Sequence, residues 1–155
     1  MALNYHLKLD VYNTLKNEFS REKYLKVKNY RRVLSKIRFS AHNFEIERGR
    51  YATPITPRSE RFCKFCDVVM ETNVIECEHH ILCDCPLYRP LRDRTNLATN
   101  DLIIEIIRNS DNQSLLSEVG RLCSSIIDAH QAYSNYMSII NENNGADSNT
   151  RCKIL

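Results

Sequence analysis

The chain has 155 residues, 43% of them hydrophobic, with three glycines and four prolines; that suits one domain, or a small domain with attachments, and argues against a loop-rich or all-β chain. The net charge of +3 hides an asymmetry: residues 21–64 carry 13 Lys/Arg against 4 Glu, a net of +9, and residues 65–155 carry 7 against 13, a net of −6. No apolar run reaches the ~18 residues of a membrane span, and the opening MALNYHLKLD lacks a signal-peptide core, so an intracellular protein without a membrane partner is expected. A basic segment joined to an acidic body is the pattern of a chain that contacts a polyanion.

In chain order, Leu3, Leu7, Val11, Leu15 and Phe19 recur every four residues, one apolar stripe of a helix over 3–20. A second helix is predicted over 30–42. Tyr30, Val33, Leu34 and Ile37 make its apolar face, and Arg31, Arg32, Lys36 and Arg38 spread over the rest. The helical period groups Arg32, Ser35 and Lys36 on one exposed side. Gly49, Pro54 and Pro57 punctuate residues 43–60, which read as loop or extended chain. After Pro86 a short helix is expected with Pro90 in its first turn, where the missing N–H costs nothing. Residues 100–109 read as an apolar helix capped by Asn100 or Asp101. The longest helix is expected over 113–140, its stripe made by Leu115, Leu116, Val119, Leu122, Cys123, Ile126, Ile127, Tyr133, Met137 and Ile140. The polar tail 142–155 reads as disordered.

The fold class is therefore mainly α, a small helical domain with an inserted knuckle. N-terminal helices fill 1–42, a basic loop and a metal-binding module fill 43–94, and C-terminal helices fill 95–141.

The knuckle rests on RFCKFCDVVMETNVIECEHHILCDCPLY, residues 61–88, which hold five of the seven cysteines and two of the five histidines. Clustered thiols with histidines favour a metal over a disulfide framework. Cys63-Lys-Phe-Cys66 is a pair that chelates one tetrahedral ion through a tight turn, half of a structural zinc site. The second half has three candidate pairings: His80 with Cys85, His79 with Cys83, and Cys77 with His80. Regular helix geometry slightly favours His79 with Cys83, which stand four apart. A helix over about 76–84 that ends before Pro86 would let Cys85 turn back instead. Spacing alone leaves the choice open.

LSKIRFSAHNFEIERGRY, PRSERFCKFC and ECEHHILCDCPLYRPLR, in that order, resemble the zinc-binding C-terminal tail of non-LTR (LINE-like) retrotransposon reverse transcriptases. The likeness spans roughly residues 30–94. It implies a CCHC zinc (Zn2+) site made by Cys63, Cys66, His80 and Cys85. Two departures stand beside these ligands: Cys83 where a leucine is usual, and His79 where an acidic residue is usual. The resemblance also implies a grip on template RNA or target DNA, and an attached or associated reverse transcriptase.

Four protein ligands leave no open position on a metal, so such a site is structural. Glu45, Glu47, Asp93, Asp101 and Asp111 are scattered and make no catalytic carboxylate cluster, and no Gly-rich phosphate loop is present. His6, His42 and His130 lie in helical segments and read as structural. A non-enzymatic protein with no small-molecule substrate is expected. The candidate surface for RNA or DNA is Arg31, Arg32, Lys36, Arg38, Arg48, Arg50, Arg58, Arg61 and Lys64, whose cations suit phosphate contact without base reading. Tyr51, Phe39 and Phe44 interleave with these and could stack on bases, although both phenylalanines read first as core. The alternative is a helical protein-interaction module in which the metal only holds the fold.

Overall fold

A computed structural model describes residues 23–95, 97 and 102–150. The helix expected over 3–20 and the caps expected at Asn100 and Asp101 lie outside the described residues. The fold is mainly α: a 3-10 turn at Lys23–Lys26, then α1 (Arg31–Arg38), α2 (Glu45–Arg48), α3 (Lys64–Val69), a π turn (His80–Asp84), α4 (Arg89–Arg92), α5 (Leu102–Asn109) and α6 (Gln113–Thr150). Among the described residues no helix is long and apolar enough to cross a membrane.

The first half of α6 is the backbone of the core. Leu116, Val119, Leu122, Cys123 and Ile126 are buried along it, at the three- and four-residue spacings of one helix face. Leu34 and Ile37 of α1 and Ile103, Ile106 and Ile107 of α5 are buried in the same cluster. Each such side chain contributes about 1.5–3 kcal/mol by leaving water. At the crossing of Tyr30 with α6 the chain needs glycine, because a Cβ on Gly120 would lie 2.3 Å from Tyr30 Cβ. Asn112 starts α6 by accepting backbone N–H bonds from Ser114 (2.9 Å) and Leu115 (3.2 Å), an N-cap.

α1 ends in a Schellman motif. Ala41 N–H donates to Lys36 O at 2.8 Å and Ser40 N–H to Ile37 O at 3.2 Å. The left-handed position, usually glycine, is Ser40 with φ 48°. Its hydroxyl donates to Glu78 Oε1 at 2.6 Å, which offsets the strain and fixes how the chain leaves α1.

α6 outruns the core. Burial along it stops at His130; Tyr133, Met137 and Ile140 are half-buried, while Tyr136 and Ile139 are exposed. The stripe expected to be buried to Ile140 is thus buried only over its first half. The helix itself continues into the polar segment expected to be disordered, through Thr150. No proline stands between 113 and 150, and a helix already nucleated by packing propagates with one hydrogen bond per added residue.

Candidate metal centre

The knuckle is a hairpin closed by two short chain segments. Phe62 and Ile75 form an antiparallel bridge; Cys63 N–H donates to Val74 O, and Glu76 N–H to Arg61 O, each at 2.8 Å. Cys63 then stands immediately before α3, and Cys66 lies in its first turn. Thr72 N–H returns to Cys66 O at 3.0 Å, and Glu71 reverses the chain with φ 55°.

The second donor pair comes from the π turn. Cys85 N–H donates to His80 O at 2.7 Å, a five-residue step that a regular α-helix does not make. Widening the turn by one residue places His80 and Cys85 on the same side. In this geometry His80 and Cys85 face Cys63 and Cys66, whereas an α-helical turn would have aligned His79 with Cys83. Here His79 is exposed and pairs with Asp84 at 2.9 Å, Cys83 is fully buried in the apolar core, and Cys77 is half-buried.

Cys63, Cys66, His80 and Cys85 converge, all buried, with their ligand atoms within 4.8 Å of one another. Cys63 Sγ is 3.9 Å from Cys85 Sγ, and Cys66 Sγ is 3.4 Å from His80 Nε2. Three soft sulfurs and one imidazole are a donor set that could hold a metal ion. A hydrogen bond from Cys85 brings the Cys63 thiol down to about 3. Burial pushes Cys66 up to about 11, and the hydrogen bond to Cys63 followed by burial holds Cys85 far above the usual thiol range. A metal that takes all three as thiolates must displace the protons of Cys66 and Cys85, so loading weakens as pH falls.

Polar side chains lock this centre to the basic segment. Arg61 donates to Ile46 O (2.7 Å) and, through Nε and Nη2, to Thr56 O (3.0 and 2.8 Å). Gly49 lies against it, where a Cβ would come within 2.5 Å of Arg61 Nε. Glu76 accepts from Glu45 N–H at 2.7 Å, and Glu78 accepts from Ser40 and from His42 Nε2, the latter at 2.9 Å. Phe44 N–H donates to His42 Nδ1 at 3.3 Å, so the ring proton sits on Nε2 and points at Glu78. Burial is the largest single influence on Glu78 and raises it, but the bonds from His42 and Ser40 together hold it below the usual carboxylate range.

Glu76 behaves oppositely, because burial pushes it up to about 8. His130, 3.3 Å away, is lowered, first by burial. Both shifts favour the uncharged forms, so this contact is not a full ion pair at neutral pH. Tyr88 Oη lies 2.9 Å from His130 Nδ1 and extends the network. Arg92, buried, donates from Nη2 to Cys85 O at 2.7 Å and ties α4 to the last donor.

Two residues expected on the basic surface are not on it. Arg38 is 2% exposed, its guanidinium 5.7 Å from the Tyr24 ring centroid, and Arg61 is 8% exposed. Arg38 stands four residues after Leu34 and so shares its inward face; Arg61 is spent on backbone carbonyls. Of the others, Arg48 pairs with Glu45 (2.9 Å), Lys64 with Glu45 (3.4 Å) and Arg50 with Glu47 (3.4 Å), and Arg58 is half-buried. Arg31 and Arg32 are exposed and Lys36 is half-buried. These three line a groove of about 550 Å³ with Leu25, Ser35, Phe39 and Ala41. Phe44 is core as expected, but Phe39 is 40% exposed.

Sequence reasoning missed Glu76 and Glu78, which are more deeply buried than most carboxylates. Acidic side chains are read as solvent-facing by default, and no spacing around residues 76–78 marks these two as buried. No protein-family model matches the chain, and no curated protein or solved structure matches it either.

Proposed function

We propose that this is a non-enzymatic, zinc-stabilised module that binds RNA or DNA, a relative or detached piece of the tail of a retroelement reverse transcriptase. Zinc is the metal the donor set suits. Tetrahedral zinc, with ~2.3 Å bonds to sulfur and ~2.0 Å to nitrogen, spaces two sulfurs about 3.8 Å apart and a sulfur and nitrogen about 3.5 Å. The observed 3.9 and 3.4 Å are close to these edges. Four protein ligands close the coordination sphere, so the ion braces rather than reacts. Arg92 beside Cys85 offsets part of the negative charge that three thiolates leave on the centre.

The observation that carries the nucleic-acid reading is the α1 face. Arg31, Arg32 and Lys36 make no ion pair among the described residues, in contrast to the paired cations of the 45–64 loop. Cations without protein partners are the ones available to displace counterions from a phosphate backbone. The metal centre holds that face through Glu78, Ser40 and the Schellman turn. The resemblance over residues 30–94 points to the same partner, and to a polymerase that is attached or associated.

Titration of the zinc-loaded chain with labelled RNA and DNA oligonucleotides at rising salt tests this. Affinity is expected to fall linearly on log–log axes, and Arg31→Ala, Arg32→Ala and Lys36→Ala each to lower the slope by about 1. No binding at low salt, or an unchanged slope in the triple variant, overturns the reading. A protein-interaction role has one observation in its favour, the exposed Tyr136 and Ile139 beyond the core; a partner lost on Tyr136→Ser but kept in the α1 triple variant would select it.

A further inference from the structure

A second cleft, of about 310 Å³, is lined by Asn43 and Arg48, from the segment that forms α2, and by Gln131, Ser134, Asn135 and Ser138 of α6. None of these belongs to the metal centre or to the α1 face. The four α6 residues stand at i, i+3, i+4 and i+7, one helical stripe. The solvent face of a helix ordinarily carries charges, yet residues 129–141 contain no Asp, Glu, Lys or Arg. In their place the stripe presents carboxamides and hydroxyls, which both donate and accept.

The carboxamides are ordered as a relay. Asn43 Nδ2 donates to Gln131 Oε1 at 3.3 Å, and Gln131 Nε2 donates to Asn135 Oδ1 at 2.8 Å. The relay uses the nitrogen of Asn43 and the oxygen of Asn135. It leaves Asn43 Oδ1 as an acceptor and Asn135 Nδ2 as a donor, neither of which is hydrogen-bonded among the described residues. The backbone at Asn43 is held in place by its neighbours His42 and Phe44, both buried and stacked with ring centroids 4.1 Å apart. Arg48 adds a cation. Its Nη1 donates to Glu45 Oε1 at 2.9 Å, and Lys64 contacts the same oxygen at 3.4 Å, so two cations share one carboxylate and one positive charge is left over.

An inorganic anion would match Arg48 but meet the Asn43 oxygen as a second acceptor. The matching ligand has a neutral edge that offers a donor and an acceptor, with a negative group attached. A nucleotide has that form, and carboxamides are the side chains that ordinarily pair with adenine. We propose that this cleft reads an unpaired adenine, its N6 amino group donating to Asn43 Oδ1, a ring nitrogen accepting from Asn135 Nδ2, and Arg48 on the adjoining phosphate. The cleft is too small for a duplex. The inference rests on the nucleic-acid reading above and deepens it: the α1 cations contact backbone regardless of sequence, and this cleft supplies a base preference.

The test uses the zinc-loaded full chain and fluorescence anisotropy. The probes are thymine single strands of equal length whose central positions are adenine, cytosine, thymine or abasic. The adenine strand is expected to bind about 10-fold more tightly than the other three. Asn135→Ala and Asn43→Ala, on opposite ends of the relay, should each abolish that preference without altering the salt slope. The Arg31, Arg32 and Lys36 triple alanine variant should lower the slope and keep the preference. Zinc content and helicity establish that each variant is folded. Equal affinity for all four strands, tightest binding of cytosine, thymine or the abasic strand, or an adenine preference that survives both asparagine variants overturns the proposal while leaving the basic-face reading intact. Absence of binding to every strand at low salt removes both.

Discussion

From Ile103 to Ile126 the buried side chains among the described residues are isoleucine, leucine, valine and one cysteine. From Arg61 to Cys85 they are Arg61, Cys63, Cys66, Glu76, Glu78, His80 and Cys85, joined by Ile81, Leu82 and Cys83 of the π turn, and everything from Asp67 to Val74 is exposed. The helical body is held by apolar surface taken out of water. The knuckle has little such surface; even its Val68, Val69 and Met70 face solvent. Its order comes from convergent donors and buried polar contacts. Apolar burial is additive and tolerant, whereas a polar network fails when one member is removed.

The largest expected effect separates the two regions by their dependence on metal. Chelation should unravel residues 61–85 and leave α6 helical, because structural zinc contributes about 10 kcal/mol or more to small domains that fold around it. Hydrogen exchange read along the chain checks this; a body that melts together with the knuckle would erase the distinction. Next in size, Leu34→Ala should cost the body about 2–5 kcal/mol through a core cavity while metal content stays unchanged. Gly120→Ala should act in the same direction, because its Cβ meets Tyr30. Thermal melts with metal analysis distinguish these from knuckle variants.

A smaller effect probes the polar network. The Glu76 carboxyl is raised in the fold to about 8, so its contribution to stability is fully present below the unfolded carboxylate range and is lost as pH rises through about 8. Glu76→Gln keeps an uncharged acceptor for the Glu45 N–H. It should be less sensitive to alkali, and above pH 8 it should exceed the wild type by about 1–3 kcal/mol. Urea melts at several pH values measure this; parallel pH profiles for the two proteins would refute it. The smallest contrast lies at Ser40. Ser40→Ala loses the bond to Glu78 and keeps the strained φ, whereas Ser40→Gly loses the bond and relieves the strain, so the glycine variant should be the more stable by about 1 kcal/mol.

The same contrast explains what could be read from the sequence. The apolar stripes of α1 and the first half of α6 were legible because helical period and burial are coupled. Pro90 was placed correctly because its missing N–H restricts it to a helix start. The choice between His80 with Cys85 and His79 with Cys83 was not legible from spacing, because it depends on one widened turn between Cys77 and Cys85; only the family resemblance pointed to the former. Arg38 and Arg61 misled because an arginine counts as surface until its carbonyl and aromatic partners are known, and residue spacing does not reveal those partners. Phe39 misled in the opposite direction: it follows Ile37 and Arg38, which turn inward, but the helix ends at it and the ring remains outside.

The most direct measurement is native mass spectrometry of the zinc-loaded wild type beside Cys83→Ser and Cys85→Ser. One zinc per chain should survive in the wild type and in Cys83→Ser, which should only lose stability from a buried hydroxyl, and none should survive in Cys85→Ser. Zinc retained by Cys85→Ser and lost from Cys83→Ser, or no zinc bound by the wild type, would contradict the proposal that Cys63, Cys66, His80 and Cys85 brace this fold around a metal.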